Sequence, residues 1–261
     1  MAFPGRCNVD AICRSVTKVV FLSPHLDDAV LSLAPVIARF SRETHTEVWT
    51  VFSGAAWCGP YSATARWLHQ VCGGRRGKML ELTRRWEDWN ALKILGVRRI
   101  RHLGFLDAVY RKDARGGFLY QQCRETGRRP EDSGLVTSLH QELLSHNTVG
   151  TLFVAPLAFG GHVDHQIVRE TASRLPVASV LWYCDLPYLI DIGRKSCEMN
   201  MVVGRSVHCT ETDLMQWRNA IECYRTQLEM LRHEGTCVAD RIVLHFGKDR
   251  PLTLFLRDHE A

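Results

Sequence analysis

Short apolar segments alternate with amphipathic ones along most of the 261-residue chain, and this alternation limits the possible fold more than any other feature. Five segments combine apolar, β-branched and aromatic residues over a short length, as buried strands do. They are KVVFLSP, EVWTVFSG, RRIRHLGFLD, GTLFVAPLA and VASVLWYCDLP. Because helical segments separate them, the pattern predicts a Rossmann-like, three-layer α/β/α fold with a mostly parallel sheet.

The intervening segments carry apolar residues at helical spacing. The spacing predicts helices over residues 28–40, 78–95, 135–144, 163–175 and 211–233. Pro35 predicts a kink or an early end in the first of these helices. The apolar face of the second helix consists of Met79, Leu82, Trp86 and Trp89. Thr210 and Asp213 predict a capping box before the last helix, and the segment DRIVLHFG beyond it has the composition of a final strand.

Composition places these elements in a globular protein. Hydrophobic residues make up 46% of the chain and charged residues 23%, which supports a sizeable core and argues against disorder. The length allows one large domain or two small ones, and we expect a single domain over residues 1–261. Segments 54–77 and 111–134 exceed the connections of about 2–6 residues that are usual in α/β units. They are either lids that set specificity or plain surface insertions.

Charge, cysteine content and hydropathy argue against several classes of protein. The net charge of +5 is mild and no nucleic-acid-binding module is recognisable, so we expect no nucleic-acid partner. The ten cysteines include no CxxC pair, which argues against a zinc ribbon or a thioredoxin-like site. Neither a signal-peptide core nor an apolar stretch of about 18 residues is found. We therefore expect a cytoplasmic location, reduced thiols and no membrane partner.

Histidine and aspartate side chains follow two of the predicted strands. They are His25, Asp27 and Asp28 after the first strand, and His162, Asp164 and His165 after the fourth. Ligands of open α/β sheets bind beyond the carboxyl ends of the strands, so the two clusters can meet at one edge. Two histidines and one carboxylate suffice for a catalytic zinc, and a spare carboxylate can act as general base. Either cluster alone is equally an ordinary loop or a helix cap, but the two together favour a metal site.

The motifs that carry these residues resemble those of the PIG-L/LmbE-like zinc deacetylases. SPHLDDAVLS resembles the HPDD signature of that family, and GGHVDH resembles its second motif, HPDH. Between them, RRWEDWNALKILGV resembles an Arg-x-x-Glu helix that ends in Leu-Gly, and HLGFLDA resembles the Leu-Gly-x-x-Asp that follows. AIECYRTQ resembles a late Tyr-x-Ser-Gln pattern, so the resemblance spans residues 18–227.

The resemblance implies a role for each of these residues. The residues that match the metal ligands are His25, Asp28 and His165. The implied cofactor is Zn²⁺ or another divalent cation. Asp27 matches the general base that activates water, and His162 matches the histidine that polarises the substrate carbonyl. Asp164 would hold His162 or the neighbouring loop in place.

The resemblance also implies the reaction and the class of substrate. It predicts a zinc-dependent hydrolase that removes an N-acetyl or other N-acyl group from an amino sugar or glycoconjugate, such as a natural-product intermediate. Arg84 and Asp107 match positions that contact the sugar. In the first long segment, Trp57, Tyr61 and Trp67 either stack on the substrate or pack the segment onto the core. The partner is therefore a small molecule.

Two other functions stay open on the residues alone. A metal-binding protein without turnover would have no use for the spare carboxylate of Asp27. A nucleic-acid-binding protein would use the basic residues of segment 75–85, which are equally typical of a solvated surface.

The chain departs from the family pattern at five positions. They are Leu26 and Val163 where proline is usual, Ala29 where glutamate is usual, and Phe159 and Gly160 where sugar-specific members have a tyrosine. None of these changes removes a predicted metal ligand. The last two bear on the groups that contact the substrate carbonyl.

Overall fold

One mixed sheet of seven strands runs through the part of the chain that the structure, a computed structural model, describes: residues 9–122, 125–192, 201–247 and 250–257. The strands are β1 (Lys18–Ser23), β2 (His45–Thr50), β3 (Arg99–His102), β4 (Thr151–Pro156), β5 (Val180–Tyr183), β6 (Met201–Val207) and β7 (Leu252–Arg257). Their order across the sheet is β3-β2-β1-β4-β5-β7-β6. The pairs among β1 to β5 are parallel, and β7 pairs antiparallel with β5 and β6.

Helices cover both faces of this sheet. They are α1 (Val9–Ser15), α2 (Asp28–Glu43), α3 (Ala63–Val71), α4 (Gly77–Ile94), α5 (Ser133–Ser145), α6 (Val163–Ala172), α7 (Tyr188–Ile192), α8 (Glu211–Ile221), α9 (Arg225–Leu228) and α10 (Val238–Phe246). Successive residues of β1 enter different cores: Val19 and Phe21 pack in one apolar cluster, and Val20 and Leu22 pack in another. The predicted three-layer α/β fold with a mostly parallel sheet is confirmed.

The connections of β1 and β4 position the functional residues. From β1 the chain proceeds through α2 to β2 on one side, whereas β4 lies on the other side of β1. The carboxyl ends of these two neighbouring strands therefore flank a switch point in the strand order, which is where open α/β sheets bind ligands.

Helix α2 passes through Pro35 and continues to Glu43, so the predicted early end at this proline is wrong. A proline in a helix removes one backbone hydrogen bond. The helix is buried along most of its length, and the packing of its apolar residues outweighs that loss.

Helix α4 turns the predicted apolar face toward solvent. Its exposed residues include Met79, Leu82, Trp86 and Trp89. The buried face instead carries Glu87 and Asp88, whose carboxylates accept hydrogen bonds from the hydroxyls of Thr226 and Tyr224 at 2.6 and 2.7 Å. The helical spacing correctly grouped the residues of each side of the helix. The hydrogen bonds of Glu87 and Asp88 place the polar side in the interior, and the apolar side therefore faces solvent.

The carboxyl-terminal elements also differ from the prediction. The helix predicted over residues 211–233 is divided into α8 and α9, although its capping box between Thr210 and Asp213 is confirmed. The segment DRIVLHFG belongs to helix α10 and not to a strand. Its buried residues Val238, Ile242 and Phe246 recur every fourth position, which is a helical period. The final strand is β7.

Both long segments contain packed structure. Helix α3 lies within residues 54–77, and its Ala65 and Leu68 form a small core with Leu80 of α4. Within residues 111–134, Tyr120 is buried and donates a hydrogen bond to Asp132 at 2.6 Å. Neither segment is a plain surface insertion, and we keep the single domain over residues 1–261 as a prediction. Among the described helices, none is long and apolar enough to span a bilayer.

Candidate active site

The structure brings the two predicted clusters together at the carboxyl ends of β1 and β4. The ring of His25 lies 4.9 Å from that of His162 and 5.3 Å from that of His165, centroid to centroid. One ligand nitrogen from each of the three histidines lies within 4.8 Å of the others. Asp28, the first residue of α2, faces the same point. It does not cap this helix, because its Oδ2 accepts a hydrogen bond from the backbone N–H of His25 at 2.8 Å.

Asp28 lies at the spacing that a zinc site requires from each of the two predicted histidine ligands. Asp28 Oδ2 lies 3.3 Å from His25 Nδ1 and 3.2 Å from His165 Nε2. Two ligand atoms bound to one tetrahedral zinc at about 2.0–2.1 Å lie roughly 3.3 Å apart. The buried His165 Nε2 makes no hydrogen bond, and a buried polar atom without a partner is uncommon. The donor set of His25, Asp28 and His165 therefore fits a divalent metal.

In each of the two histidine ligands, His25 and His165, a carboxylate lies next to the ring nitrogen that faces away from Asp28. His25 Nε2 lies 3.0 Å from Asp164 Oδ2, and His165 Nδ1 lies 2.6 Å from Asp185 Oδ1. If the outer nitrogens donate to these carboxylates, His25 Nδ1 and His165 Nε2 keep their lone pairs for a metal. Asp185 had not been predicted as a site residue. The signal in the sequence was a carboxylate directly beyond β5, the strand next to β4.

A buried arginine holds Asp164. The carboxylate is fully buried, and Arg111 donates to its Oδ1 at 2.6 Å, while the N–H of Ala108 donates to Oδ2 at 3.0 Å. Burial alone would raise the pKa of Asp164, but the charges of Arg111 and His25 hold it below its usual value. The carboxylate thus fixes His25 and the loop around Ala108, and only the backbone N–H of Asp164 reaches His162.

Asp27 lies beside the metal ligands and is buried. Burial raises the pKa of Asp27 to about 7, the charge of Asp28 adds to the rise, and the nearby Arg84 guanidinium opposes it. A carboxyl group with a pKa near neutrality can both accept and return a proton at physiological pH. This is the property that a general base needs when it must later act as an acid.

His162 is the N-cap residue of helix α6 and directly precedes its first residue, Val163. Its Nδ1 accepts a hydrogen bond from the backbone N–H of Asp164 at 3.2 Å. Burial lowers the pKa of His162 to about 3, and the neighbouring His25 lowers it further. The imidazole is therefore neutral at physiological pH, with its proton on Nε2, and can donate a hydrogen bond into the cleft.

A cleft of about 160 Å³ opens over these groups. Arg84 and Asp107 line it, and their contact with the sugar stays a prediction; Trp67 of α3 and Tyr188 of α7 lie along its wall. Trp57 is 79% exposed and is not among the described residues that line this cleft, so its contact with the substrate stays a prediction.

Gly160 explains the departure from the family tyrosine before the second motif. Its φ is +81°, and a Cβ at this position would lie 2.5 Å from the ring of Tyr188. Only glycine accommodates both the backbone conformation and this contact. An aromatic ring therefore lies next to this position in the fold, although it comes from a different segment of the chain.

A second group of candidate ligands shares His25. Ligand atoms of His25, Asp107 and Asp164 also lie within 4.8 Å of one another. Asp164 is already neutralised by Arg111, and Asp107 Oδ1 accepts a hydrogen bond from the N–H of Val109 at 3.1 Å. The set of His25, Asp28 and His165, in which the Nε2 atom of His165 has no hydrogen-bond partner, is therefore the better metal site.

Comparisons with known proteins agree with this geometry. The family profile described as "PIG-L: GlcNAc-PI de-N-acetylase" matches residues 20–175. The 2'-N-acetylparomamine deacetylase of Streptomyces fradiae is 32% identical over 177 residues, which are 66% of this chain and 57% of that protein. The chain thus spans little more than half the length of this relative.

Two solved structures are similar over nearly the whole chain. The zinc-inhibited form of teicoplanin deacetylase has a TM-score of 0.78 and 29% identity, and the match covers 94% of this chain and 100% of that one. The deacetylase of the A40926 pseudoaglycone has a TM-score of 0.71 and 27% identity, with coverage of 92% and 96%.

Proposed function

The chain belongs to the PIG-L family of de-N-acetylases, and from this premise we propose that it is a zinc-dependent hydrolase that removes an N-acetyl group from an amino sugar of a natural product. One observation carries the proposal. Two histidines, each backed by a buried carboxylate, share the oxygen of Asp28, and Asp27 and His162 line the same cleft.

The metal would be held by His25, Asp28 and His165. A bound zinc ion supplies Lewis-acid polarisation and lowers the pKa of a water molecule from 15.7 to about 7. Asp164 and Asp185 orient the two imidazoles, since each accepts from the ring nitrogen that faces away from Asp28. The tight placement of these ligands requires little rearrangement when the metal binds.

The proton transfers fall to Asp27. Its carboxylate accepts a proton from the water that attacks the acetyl carbon, and a C–O bond forms. When the C–N bond breaks, the same group returns the proton to the amine nitrogen, and acetate and the free amino sugar leave. The burial that raises the pKa of Asp27 favours its protonated form after the first transfer and thus a group that can return the proton.

His162 stabilises the negative charge that develops on the acetyl oxygen. The neutral ring donates its Nε2–H toward the cleft, and Nδ1 is fixed by the backbone N–H of Asp164. A donor held in this way needs no reorientation as charge develops, which is the basis of transition-state stabilisation by an oxyanion hole.

The cleft supports a sugar that is attached to a larger group. Arg84 and Asp107 offer a donor and an acceptor for sugar hydroxyls, while the outer wall is aromatic and aliphatic, with Trp67, Tyr188 and Met230. The relatives named above act, by their names, on 2'-N-acetylparomamine, on teicoplanin and on the A40926 pseudoaglycone. We infer an N-acetylated amino sugar on a natural-product scaffold as the substrate class.

The alternative functions find less support. A metal-binding protein without turnover would gain nothing from Asp27, a buried carboxyl beside the ligands that costs free energy to desolvate. The basic segment 75–85 does not form one exposed surface for nucleic acid, because Arg84 is buried beside Asp27.

The experiment is a measurement of acetate release. N-acetylparomamine, an N-acetylglucosaminyl glycopeptide and free N-acetylglucosamine are each incubated with the protein as purified, after chelation, and after return of Zn²⁺, Co²⁺ or Mn²⁺. We expect hydrolysis of at least one scaffold-bound sugar, its loss on chelation and its recovery with metal. Activity that survives complete removal of metal would contradict the proposal.

A further inference from the structure

The exposed tryptophans of this protein are concentrated in one stretch of the chain. Of seven tryptophans, Trp49, Trp182 and Trp217 are buried. The other four lie between residues 57 and 89 and are 46–79% exposed. Three of these four, with two exposed residues of α4, make up what we call the tryptophan face, which consists of Trp57, Met79, Leu82, Trp86 and Trp89.

Helix α4 supplies most of this face, and it exposes large apolar residues while it buries its carboxylates. Its exposed large residues recur at intervals of three and four, so they share one side of the helix. Its three carboxylates, Glu81, Glu87 and Asp88, are all buried. No carboxylate of α4 therefore reaches the exposed side. Surface helices usually bury their apolar side and expose their charges.

The charges that accompany the tryptophan face are positive. Lys78 Nζ lies 5.4 Å from the centre of the Trp57 ring, and Lys93 Nζ lies 5.3 Å from that of Trp89. Arg75 and Arg76 are exposed in the turn that precedes α4. An aromatic surface with neighbouring cations is typical of proteins that lie on anionic lipid surfaces, because tryptophan prefers the interface and cations attract acidic headgroups.

We propose that the tryptophan face docks on the surface of an anionic lipid bilayer. The charge pattern favours this occupant over a second copy of the chain. Lys78 is paired with the buried Glu81, but a two-fold interface through the same face would bring Lys93 and the exposed Arg75 and Arg76 toward their own counterparts. This departs from the sequence-based expectation of no membrane partner, because that expectation considered only spanning segments.

Docking in this way would set the orientation of the cleft. The fourth exposed tryptophan, Trp67, lines the cleft above the candidate metal ligands, and its helix α3 packs on α4 through Leu68 and Leu80. The cleft entrance would therefore lie next to the lipid surface, where amphiphilic molecules concentrate. The docking itself does not depend on the proposed deacetylase activity.

The test is co-sedimentation of the full chain with vesicles. We expect binding to vesicles that contain phosphatidylglycerol, at least tenfold weaker binding to pure phosphatidylcholine, and release by salt. The double variants Trp86→Ser/Trp89→Ser and Lys78→Glu/Lys93→Glu should each lose at least tenfold in affinity. Brominated lipids should quench the tryptophan fluorescence of the wild-type protein.

A matched control separates this face from exposed apolar residues in general. Met215 and Leu244 are 61% and 65% exposed and lie outside the tryptophan face. The variant Met215→Ser/Leu244→Ser should bind vesicles like the wild type, and circular dichroism should show that all variants are folded. Two outcomes would overturn the proposal. In the first, the Trp86→Ser/Trp89→Ser variant binds anionic vesicles with the same affinity as the wild type. In the second, the wild type does not bind anionic vesicles but forms a dimer that this variant does not form.

Discussion

The pair formed by Arg111 and Asp164 allows a quantitative test of how the site is built. Arg111 is 5% exposed and Asp164 is fully buried, and their closest atoms are 2.6 Å apart. Removing one partner of such a pair leaves a buried charge without compensation, which typically costs about 3–5 kcal/mol. For a chain of this size each kcal/mol lowers the melting temperature by about 2–4 °C. The variant Arg111→Met should therefore melt about 6–20 °C below the wild type at neutral pH.

A surface pair in the same part of the chain provides the control. Arg128 Nε lies 3.0 Å from Glu170 Oε2, but the two side chains are 28% and 34% exposed. Exposed pairs contribute about 0–1 kcal/mol, so Arg128→Met should change the melting temperature by only a few degrees. Thermal unfolding by circular dichroism compares the two variants directly.

The effect of Arg111→Met should also depend on pH. In the wild type the pKa of Asp164 lies below its usual value, so its contribution to stability is present above a pH of about 4 and is lost as the pH falls through the folded-state pKa. In the variant, burial without Arg111 would raise the pKa of Asp164, and the group would accept a proton in the folded state. The gap in melting temperature should therefore be widest at neutral pH and should narrow toward pH ~4.

The double variant Arg111→Met/Asp164→Asn completes the cycle. Asparagine removes the buried charge of Asp164, whereas Asp132, which lies 3.2 Å from Arg111 and accepts from Tyr120, stays charged, so the double variant should recover part of the lost stability. The reasoning would be refuted if Arg111→Met and Arg128→Met had similar melting temperatures. It would also be refuted if the difference in melting temperature between the wild type and Arg111→Met became larger in acid.

Other consequences of the site are open to separate measurements. Asp185→Asn should weaken zinc binding about 10–100-fold in competition with a chelator, because His165 loses its orienting carboxylate; unchanged affinity would remove Asp185 from the site. Trp67→Ala should raise KM for scaffold-bound sugars and leave that for free N-acetylglucosamine unchanged, and an equal effect on both would exclude a role in recognising the scaffold. Iodoacetamide should label the exposed Cys58 in the native protein, whereas burial raises the pKa of Cys72 to about 11 and should protect it. Mass spectrometry would measure both labelling rates, and labelling of Cys72 as fast as that of Cys58 would contradict the buried position of Cys72.

The sequence was informative where local pattern and tertiary position coincide. The apolar segments before His25 and His162 predicted buried parallel strands, and ligands of such sheets bind at the carboxyl ends. Because β1 and β4 are neighbours, the two motifs meet. The same rule could have identified Asp185, which follows β5, but a single aspartate outside any motif does not distinguish itself from an ordinary loop residue.

The errors arose where distant partners decide the outcome. The spacing of Trp86 and Trp89 defined one side of α4 but not the direction in which it faces. That direction depends on Thr226 and Tyr224, which lie more than a hundred residues further along the chain and bind the carboxylates of the opposite side. The segment now seen as α10 is short and apolar, and such a segment fits a strand or a helix equally well from its composition.

The central claim is that one set of side chains binds a metal and a different residue moves the proton. The most direct test measures zinc content and acetate release together for the wild type, His165→Ala and Asp27→Asn. The account predicts that His165→Ala loses both metal and activity, and that Asp27→Asn keeps its metal while turnover falls about 10²–10⁴-fold. A His165→Ala protein with full metal content, or an Asp27→Asn protein with wild-type turnover, would contradict the account.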